Sequence, residues 1–281
     1  MDGILLINKP IGITSRDVVN KLTKKFGTKK MGHTGTLDPF ASGVMIVTIN
    51  KGTKISSYLE ALDKEYVAEL VLGVSTDTLD LEGEVLETKI VNLPLNKEAV
   101  LESINKFVGN IKQVPPMYSA LKVDGEPLYK KARRGETIER KERDVTISSI
   151  DLLSITNERL ILKVNCSKGT YIRTLGNDIG NDLGYGGHLS MLTRTRVGKY
   201  ILSECKTIEE VNESDIIPIS KALEYMPTKV VYGFLETKVR NGVPLFLGED
   251  DLLFVKNDKD EPLAIYKKEE DGKHHSLRGL F

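Results

Sequence analysis

The feature that most constrains this chain is a glycine-rich loop that leads directly into an apolar segment. Residues 32–43 read GHTGTLDPFASG, with one carboxylate, Asp38, placed before Pro39. Glycines permit sharp turns and close approach of a ligand to the backbone, and a proline biases the preceding residue towards an extended conformation. The apolar run at 44–49 fits a buried strand. The pattern predicts a rigid loop that holds Asp38 at the entry to that strand, whereas a lone Asp-Pro pair would indicate only a capped turn.

Length and composition exclude several classes of protein. The 281 residues are enough for one large core with a small appendage, or for two ordinary domains. No apolar run is long enough to span a membrane, and the amino-terminal segment lacks the features of a signal peptide. Cys166 and Cys205 are too few for a disulfide framework, and the four histidines show no zinc-site spacing with them. Asp80 belongs to an acidic turn without the spacing of a calcium-binding loop, and acidic residues in turns usually cap the backbone. We expect a cytoplasmic protein without a membrane segment or a bound metal.

Charge is segregated along the chain although the net charge is zero. Residues 9–33 hold seven Lys or Arg against one acid, and residues 163–199 hold six against two. Residues 60–102 reverse this balance, with eleven acids against three lysines. Such segregation fits a protein with one RNA-facing surface and an acidic back, although charge clusters are commonly just solvated faces.

Periodicity predicts a mixture of strands and helices. Thr14 followed three residues later by Asp17 is typical of a helix start, and Gly27 lies where that helix would end. Because strands and helices do not alternate regularly, we predict an α+β fold: a mixed, mainly antiparallel sheet flanked by helices. The predicted strands are 3–9, 43–49, 65–72, 145–153 and 159–166, and further helices are predicted near 53–61, 96–107 and 170–183.

Two segments differ from this core in amino-acid composition and in the pattern of their apolar residues. Residues 125–144 are basic and have little apolar content, which predicts a mobile excursion from the main domain, residues 1–225. Beyond residue 225, brief alternating runs around 239–246, 252–255 and 263–266 are separated by turn signals such as Asn241-Gly242. They predict a small β domain at 226–281.

Six blocks of sequence together resemble the pseudouridine synthases of the TruB type. Several long motifs in one order carry far less risk of a chance match than one short pattern. The blocks are residues 8–15 (NKPIGITS), 32–43 (GHTGTLDPFASG), 64–66 (KEY), 72–78 (LGVSTDT), 115–125 (PPMYSALKVDG) and 167–173 (SKGTYIR). The resemblance implies an isomerase, an intramolecular transferase that needs no cofactor and converts uridine 55 in the T loop of tRNA to pseudouridine.

The resemblance also implies roles for individual residues. The implied catalytic residues are Asp38, which matches the family's nucleophile, Arg173, its cationic partner, and Tyr66, a tyrosine that stacks on the target base and can take a proton during the rearrangement. Because the target uridine is stacked inside a folded loop, the enzyme must flip it out. The remaining expected substrate-binding residues are His33, which would occupy the space that the base leaves, Tyr171 and Leu192, which would line the uracil pocket, and Lys9. Lys9 could contact a phosphate or support the Asp38 loop.

The resemblance further implies that residues 226–281 form a PUA-like RNA-binding domain and that residues 125–144 grip the T stem-loop of the tRNA. A purely structural β appendage is the alternative for the tail. We expect a monomer. Two rival functions differ in class: an RNA-binding or RNA-folding protein without catalysis, and a guide-RNA-dependent relative that modifies other RNAs.

Overall fold

A ten-stranded sheet forms the frame of the chain in the computed structural model, which describes residues 2–281. The strands of the chain are β1 (Gly3–Lys9), β2 (Met31–His33), β3 (Ser42–Ile49), β4 (Lys64–Leu72), β5 (Val74–Thr76), β6 (Val85–Thr88), β7 (Gly109–Gln113), β8 (Lys122–Val123), β9 (Glu126–Pro127), β10 (Arg143–Thr156), β11 (Arg159–Cys166), β12 (Gly187–Val197), β13 (Tyr200–Ile201), β14 (Ile217–Pro218), β15 (Thr228–Val231), β16 (Leu252–Asn257), β17 (Pro262–Lys268) and β18 (His274–Gly279).

Seven α-helices accompany these strands in the described residues. They are α1 (Ser15–Phe26), α2 (Ser56–Glu60), α3 (Lys97–Asn105), α4 (Leu128–Ala132), α5 (Ile172–Asp182), α6 (Ile219–Ala222) and α7 (Gly233–Arg240). Short 3-10 helices cover Asn50–Ile55, Leu202–Glu204 and Glu213–Asp215.

The large sheet has the order β14-β1-β3-β12-β4-β11-β10-β7, with β2 added to β3 and β13 added to β12. Its pairings are antiparallel apart from the contact between β3 and β12. A second sheet, β15-β16-β17-β18, follows at the carboxyl end. The predicted fold class, an α+β fold built on a mainly antiparallel sheet with a small β unit at its end, is confirmed.

Helix α1 forms as its sequence predicts. The Thr14 hydroxyl accepts a hydrogen bond from the Asp17 amide, and the Asp17 carboxylate accepts one from the Thr14 amide, which completes a capping box. Gly27 ends the helix in the left-handed conformation, with φ of 63°. The apolar face, including Val18 and Leu22, packs on β1 and β3, so the residues just before α1 are fixed against the sheet.

The sheet packs on both faces. Helices α3 and α5 cover β4, β11 and β12 and enclose the largest core. Around β1 and β3, α1 covers one face, while the other contacts the second sheet through Phe254, Ile265 and Leu280. The small sheet also has a core of its own, which includes Val255 and Tyr266.

One predicted element is wrong and another is shorter than predicted. Residues 239–246 do not form a strand, because α7 runs to Arg240 with Val239 buried on its inner side and Arg240 paired with Glu236 one turn earlier. Asn241-Gly242 therefore ends a helix. The helix predicted near 53–61 is shorter: the 3-10 segment Asn50–Ile55 contains Gly52, a poor helix former, and α2 follows it.

The basic excursion is more structured than its composition indicates. It begins with the β8–β9 hairpin and continues into α4, where Leu128 is fully buried and Ala132 nearly so. The Leu128 amide donates to the Leu121 carbonyl at 2.8 Å. The expectation of a tract without apolar anchoring was wrong, because one leucine in the helical turn is enough to attach it.

Candidate active site

The loop that carries Asp38 is fixed by hydrogen bonds to the first residue of α1 and to the turn before that helix. The buried Ser15 hydroxyl donates to the Leu37 carbonyl at 3.0 Å and accepts from the Leu37 amide at 2.8 Å. The Gly12 amide donates to the Pro39 carbonyl at 2.8 Å. Both neighbours of Asp38 are therefore attached to the amino-terminal segment, so the carboxylate projects from a rigid turn, as the glycine and proline pattern predicts.

Lys9 lies beneath this turn and is fully buried. Its ammonium group donates to the carbonyls of Ala41 at 2.7 Å, Pro10 at 2.9 Å and Pro39 at 3.3 Å. Burial lowers the pKa of Lys9 to about 8, while the nearby Asp38 carboxylate opposes the shift. Of its two possible roles, support of the Asp38 loop agrees with this geometry, since a fully buried ammonium group does not face an incoming phosphate.

Arg173, the second residue of α5, forms a paired contact with Asp38. Its Nε atom lies 2.9 Å from Asp38 Oδ2, and its Nη2 atom donates to Oδ1 at 3.1 Å. The arginine side chain is 4% exposed and the carboxylate 31% exposed, so the outer edge of Asp38 remains open. Burial raises the pKa of Asp38, and the Arg173 guanidinium opposes this by stabilising the ionised form.

A second carboxylate shares the same arginine. Asp80 Oδ2 lies 3.4 Å from Arg173 Nη1, and its other oxygen accepts from the Thr78 hydroxyl at 2.6 Å and the Glu82 amide at 3.1 Å. The charge of Asp80 adds to the rise in the pKa of Asp38. The expected turn-capping role of Asp80 is therefore present, together with a contact to the site that the sequence did not indicate.

Tyr66 and Arg194 face each other across neighbouring strands. They are directly paired residues of β4 and β12, and both are buried. Arg194 donates from Nε to the Val44 carbonyl at 2.7 Å and from Nη2 to the Gly35 carbonyl at 3.3 Å. Burial raises the pKa of Tyr66, with the charge of Arg194 opposing the shift, so the side chain is a neutral phenol near pH 7.

Gly43 explains why the third glycine of the loop is needed. Its φ is 109°, and a Cβ atom at this position would lie 2.2 Å from the Arg194 carbonyl oxygen. Strand β12 passes β3 closely at this point, where Arg194 and Gly43 are paired. The glycine thus lets the strand that carries Arg194 approach the end of the Asp38 loop.

A cavity of about 630 Å³ opens over Asp38. Its walls include Tyr66, Tyr171, Leu192, Arg173 and Arg194, and it extends past Lys64 towards the loop at residues 167–170. Leu192 is buried on β12, and Tyr171 stands at the start of α5. An aromatic ring, an aliphatic side chain and a carboxylate in one cavity of this size can enclose a single planar base next to a nucleophile.

Lys64 is a cavity residue that the sequence analysis did not single out, although it belongs to the KEY block. Its ammonium group donates to the Glu60 carbonyl at 2.5 Å. Burial lowers the pKa of Lys64 to about 8, and the Arg194 charge acts in the same direction. Lys64 and Tyr66 point to the same side of β4, because side chains alternate along a strand.

His33 lies beside this cavity and is not part of its wall. It is the last residue of β2, paired with Val47, and is partly buried. Burial lowers the pKa of His33, and the charge of Arg16 adds to the effect. Its Nδ1 atom is buried without a hydrogen-bond partner among residues 2–281. A neutral ring in this position can stack on bases without adding charge.

The structure thus brings Asp38, Tyr66, Arg173, Tyr171 and Leu192 together, with Lys9 beneath them and His33 at the side. Sequence reasoning missed Arg194 and treated Asp80 only as a turn residue. The signal for Arg194 was weak, because an isolated arginine in a strand is usually on the surface. Neither a metal-binding cluster nor a helix long and apolar enough to cross a membrane occurs in residues 2–281.

Sequence profiles of two protein domains match the chain. The TruB family pseudouridylate synthase N-terminal domain matches residues 23–172, and the tRNA pseudouridylate synthase B C-terminal domain matches residues 173–224. The second of these ends close to the predicted domain boundary at 225 and contains Arg173, Leu192 and Arg194.

Individual relatives and a solved structure agree with these profiles. The tRNA pseudouridine synthase B of Clostridium kluyveri is 45% identical over 270 residues, which cover 95% of this chain and 92% of the relative. The Bacillus subtilis protein of the same name is 42% identical, with 95% and 93% covered. The crystal structure of a Cbf5-Nop10-Gar1 complex contains a chain that matches 99% of this one with a TM-score of 0.76 and 26% identity. The chain belongs to the TruB family of pseudouridylate synthases.

Proposed function

We propose that this protein isomerises uridine 55 in the T loop of tRNA to pseudouridine, with Asp38 as the nucleophile. The observation that carries the proposal is the Asp38 carboxylate, held by Arg173 at two points with one edge open to a cavity of the size of a base. The names of the bacterial relatives support tRNA as the substrate.

The reaction needs one nucleophile and no external reactant. The N1–C1′ bond breaks, the uracil turns, and a C5–C1′ bond forms; C5 loses a proton and N1 gains one, so the product is an isomer of the substrate. Asp38 attacks either C1′ or the base, and in both cases its covalent intermediate divides one difficult step into two easier ones. Both routes require the ionised carboxylate.

Arg173 keeps that carboxylate ionised in the cavity. Desolvation disfavours a buried charge, and a guanidinium that binds both carboxylate oxygens offsets part of that cost. Asp80 contacts the Nη1 atom of the same arginine, and its negative charge adds to the rise in the pKa of Asp38. The pair therefore holds the nucleophile in one orientation, while the raised pKa of Asp38 keeps it more basic than an exposed aspartate.

Tyr66 and Leu192 would hold the flipped uracil between them. The neutral phenol of Tyr66 suits stacking and donation of a hydrogen bond, and its raised pKa makes proton abstraction by a phenolate a minor route near pH 7. His33, a neutral ring next to the catalytic loop, would take the place that the base leaves in the T loop.

The basic excursion supports a stand-alone enzyme over the guide-RNA-dependent alternative. Lys130 and Arg133 project from α4 and its end, are exposed, and form no ion pair within residues 2–281. They are available for phosphates of the T stem. Sequence identity also favours the stand-alone enzyme: it is 42–45% with the two bacterial relatives and 26% with the matching chain of the Cbf5-Nop10-Gar1 complex.

The tail, residues 226–281, is proposed as a PUA-like domain with an RNA-binding surface. Tyr232, Phe234 and Phe246 are more than 70% exposed, and Lys238 lies 4.7 Å from the centre of the Phe234 ring. Exposed aromatic rings beside lysines suit stacking of unpaired bases. The alternative, a structural appendage, is favoured by the packing of Phe254, Ile265 and Leu280 against the main domain.

We further propose that the enzyme acts as a monomer in the cytoplasm. One experiment separates the candidate functions: incubate purified protein with unmodified tRNA transcripts and map the pseudouridines. The proposal predicts one new pseudouridine at position 55, without any guide RNA, and none in a transcript with cytidine at 55. Tight tRNA binding without any pseudouridine would favour an RNA-folding protein. A requirement for a guide RNA would favour the other alternative.

A further inference from the structure

Gln113 is the last residue of β7. Both polar atoms of its side-chain amide form hydrogen bonds with the backbone of one residue that is far away in the sequence. Its Oε1 atom accepts from the Tyr171 amide at 2.9 Å, and its Nε2 atom donates to the Tyr171 carbonyl at 3.2 Å. The residue is 2% exposed. The side chain thus serves both backbone groups of Tyr171, as a neighbouring strand would do.

The start of α5 depends on this contact. Tyr171 is the N-cap residue of the helix and has an extended backbone, with φ of −99° and ψ of 105°. Its own side chain makes no capping hydrogen bond, and its carbonyl also accepts the first helical bond, from the Leu175 amide at 3.1 Å. Gln113 therefore fixes the point from which the helix begins.

The first turn of α5 carries two residues of the site. Tyr171 lines the cavity, and Arg173, two residues later, binds Asp38. A displacement of the N-cap residue would shift both, and the paired geometry between guanidinium and carboxylate tolerates little displacement.

The segment that begins at Gln113 returns to the same helical turn. The Tyr118 carbonyl accepts from Arg173 Nη2 at 2.7 Å, and between the two contacts lie the buried prolines Pro115 and Pro116. Residues 113–118 are thus attached to the first turn of α5 at both ends. This short stretch is also the root of the basic excursion that follows it.

A buried glutamine with both amide atoms satisfied is often only part of the packing. In this case both hydrogen bonds go to a cavity residue 58 positions away. We infer that Gln113 is a positioning residue, which sets Tyr171 and Arg173 against Asp38 and couples the root of the excursion to the active site. The inference rests on the proposed function, because it concerns the rate of that reaction.

The test is Gln113→Met, which keeps the length of the side chain and removes both hydrogen bonds. Because a displacement of about 1 Å can cost on the order of 100-fold in rate, we expect kcat to fall about 10- to 100-fold. The Kd for tRNA should change less than about twofold, since phosphate contacts elsewhere supply most of the affinity. Gln113→Glu retains the acceptor for the Tyr171 amide and loses only the donor, so it tests the inference even where the methionine variant does not fold.

Two controls separate positioning from general loss of stability. Asn257→Leu removes a buried amide that accepts from the Lys259 and Glu261 amides at 3.0 and 2.9 Å, far from the cavity; it should lower the melting temperature and leave kcat unchanged. On an Arg173→Lys background, Gln113→Met should lower kcat much less than it does in the wild type, because both changes disturb one contact.

Wild-type kcat in a folded Gln113→Met or Gln113→Glu variant would overturn the inference, and so would fully additive effects in the double variant. Absence of pseudouridine formation by the wild-type protein would instead contradict the proposed function, so the two failures are distinguishable.

Discussion

Arg173 and Arg134 show how differently this chain uses the same side chain. Arg173 is 4% exposed and binds two carboxylates and two backbone carbonyls around the cavity. Arg134 is 48% exposed and pairs with Glu126 and Glu136 within the basic excursion. The first arrangement fixes the proposed nucleophile, whereas the second stabilises a surface segment in which Lys130 and Arg133 are exposed.

The surroundings of Asp38 and the basic excursion are expected to have different roles. The charged groups around Asp38 have partners within the protein, so they can orient the proposed nucleophile without RNA. Exposed charges on the excursion contribute mainly through counterion release, which depends on salt. Substitutions in the first region should therefore alter the chemical step, and substitutions in the second should alter affinity.

The largest effect is expected for Asp38→Asn. The substitution keeps the size of the side chain and removes its nucleophilicity, so turnover should fall by about 10⁴-fold or more. Binding of tRNA should largely survive. Release of tritium from tRNA labelled at C5 of uridine measures turnover, and Asp182→Asn, on the same helix as Arg173 but outside the cavity, is the control. Substantial tritium release by Asp38→Asn would contradict the assignment of the nucleophile.

Arg173→Ala should lower activity by about 100- to 1,000-fold near neutral pH and by more at low pH. Asp38 must be ionised to react, and its pKa already lies above the ordinary value. Loss of the guanidinium raises the pKa of Asp38 further. As the pH is lowered, the variant should therefore lose its activity at a higher pH than the wild type does. The pH profile of single-turnover rates measures this shift.

Arg173→Lys should restore only part of the activity, because an ammonium group cannot bind both carboxylate oxygens in the paired geometry. Full activity of the lysine variant across the pH range would show that the ion pair is not required in this form.

A smaller effect, on affinity, is expected in the excursion. Removing Lys130, Lys131, Arg133 and Arg134 together should weaken tRNA binding and reduce its dependence on salt. Each lost phosphate contact should lower the log–log slope by about 0.7 to 0.9. Lys130→Ala and Arg133→Ala should account for most of the change. Arg134→Ala should account for little of it, because Arg134 is already paired with Glu126 and Glu136. Unchanged affinity and salt slope in the quadruple variant would favour a structural loop.

We also expect the excursion to be mobile in the free protein and to close on the RNA. Leu128 gives it one buried attachment, so the motion should be that of a hinged segment. Hydrogen exchange of residues 125–144 with and without tRNA measures it. Equal protection in both states would contradict closure.

The smallest effect is expected in the tail. Phe234→Ala removes an exposed ring beside Lys238, and loss of one stacked base costs about 1–3 kcal/mol. We expect the lower part of that range, about a fivefold rise in Kd for full-length tRNA, and no change for an isolated T stem-loop. Leu277→Ala, at an exposed aliphatic position of the same sheet, is the control. An equal response of both variants would favour the structural appendage.

The sequence predicted those parts of the fold that depend on local signals. The Thr14–Asp17 box and Gly27 delimit α1, and the glycines and proline around Asp38 predict its rigid loop. The sequence did not predict contacts between residues that are far apart in the chain. Arg194 is a fully buried arginine held by carbonyls of β3 and the Asp38 loop, and Gln113 acts across 58 residues. Neither spacing nor periodicity encodes such contacts.

Errors in the sequence analysis have the same origin. Residues 239–246 alternate as a strand would, yet Val239 is buried on a helix, where Arg240 pairs with Glu236. The excursion contains few apolar residues, yet Leu128 is fully buried and Ala132 nearly so, and both help to anchor it. Composition describes a segment as a whole, and a single buried side chain can decide its structure. The ion pair between Asp80 and Arg173 joins distant parts of the chain, so the sequence indicated only the role of Asp80 in its turn.

The most direct test of the separation between chemistry and binding is a salt titration of the wild-type enzyme. The Kd for tRNA and the single-turnover rate of tritium release at saturating enzyme are measured in parallel as the salt concentration rises. We expect Kd to rise steeply with salt while the rate constant of the bound substrate stays constant, because the charged groups around Asp38 have partners within the protein. A rate constant that falls with the same slope as the affinity would contradict it.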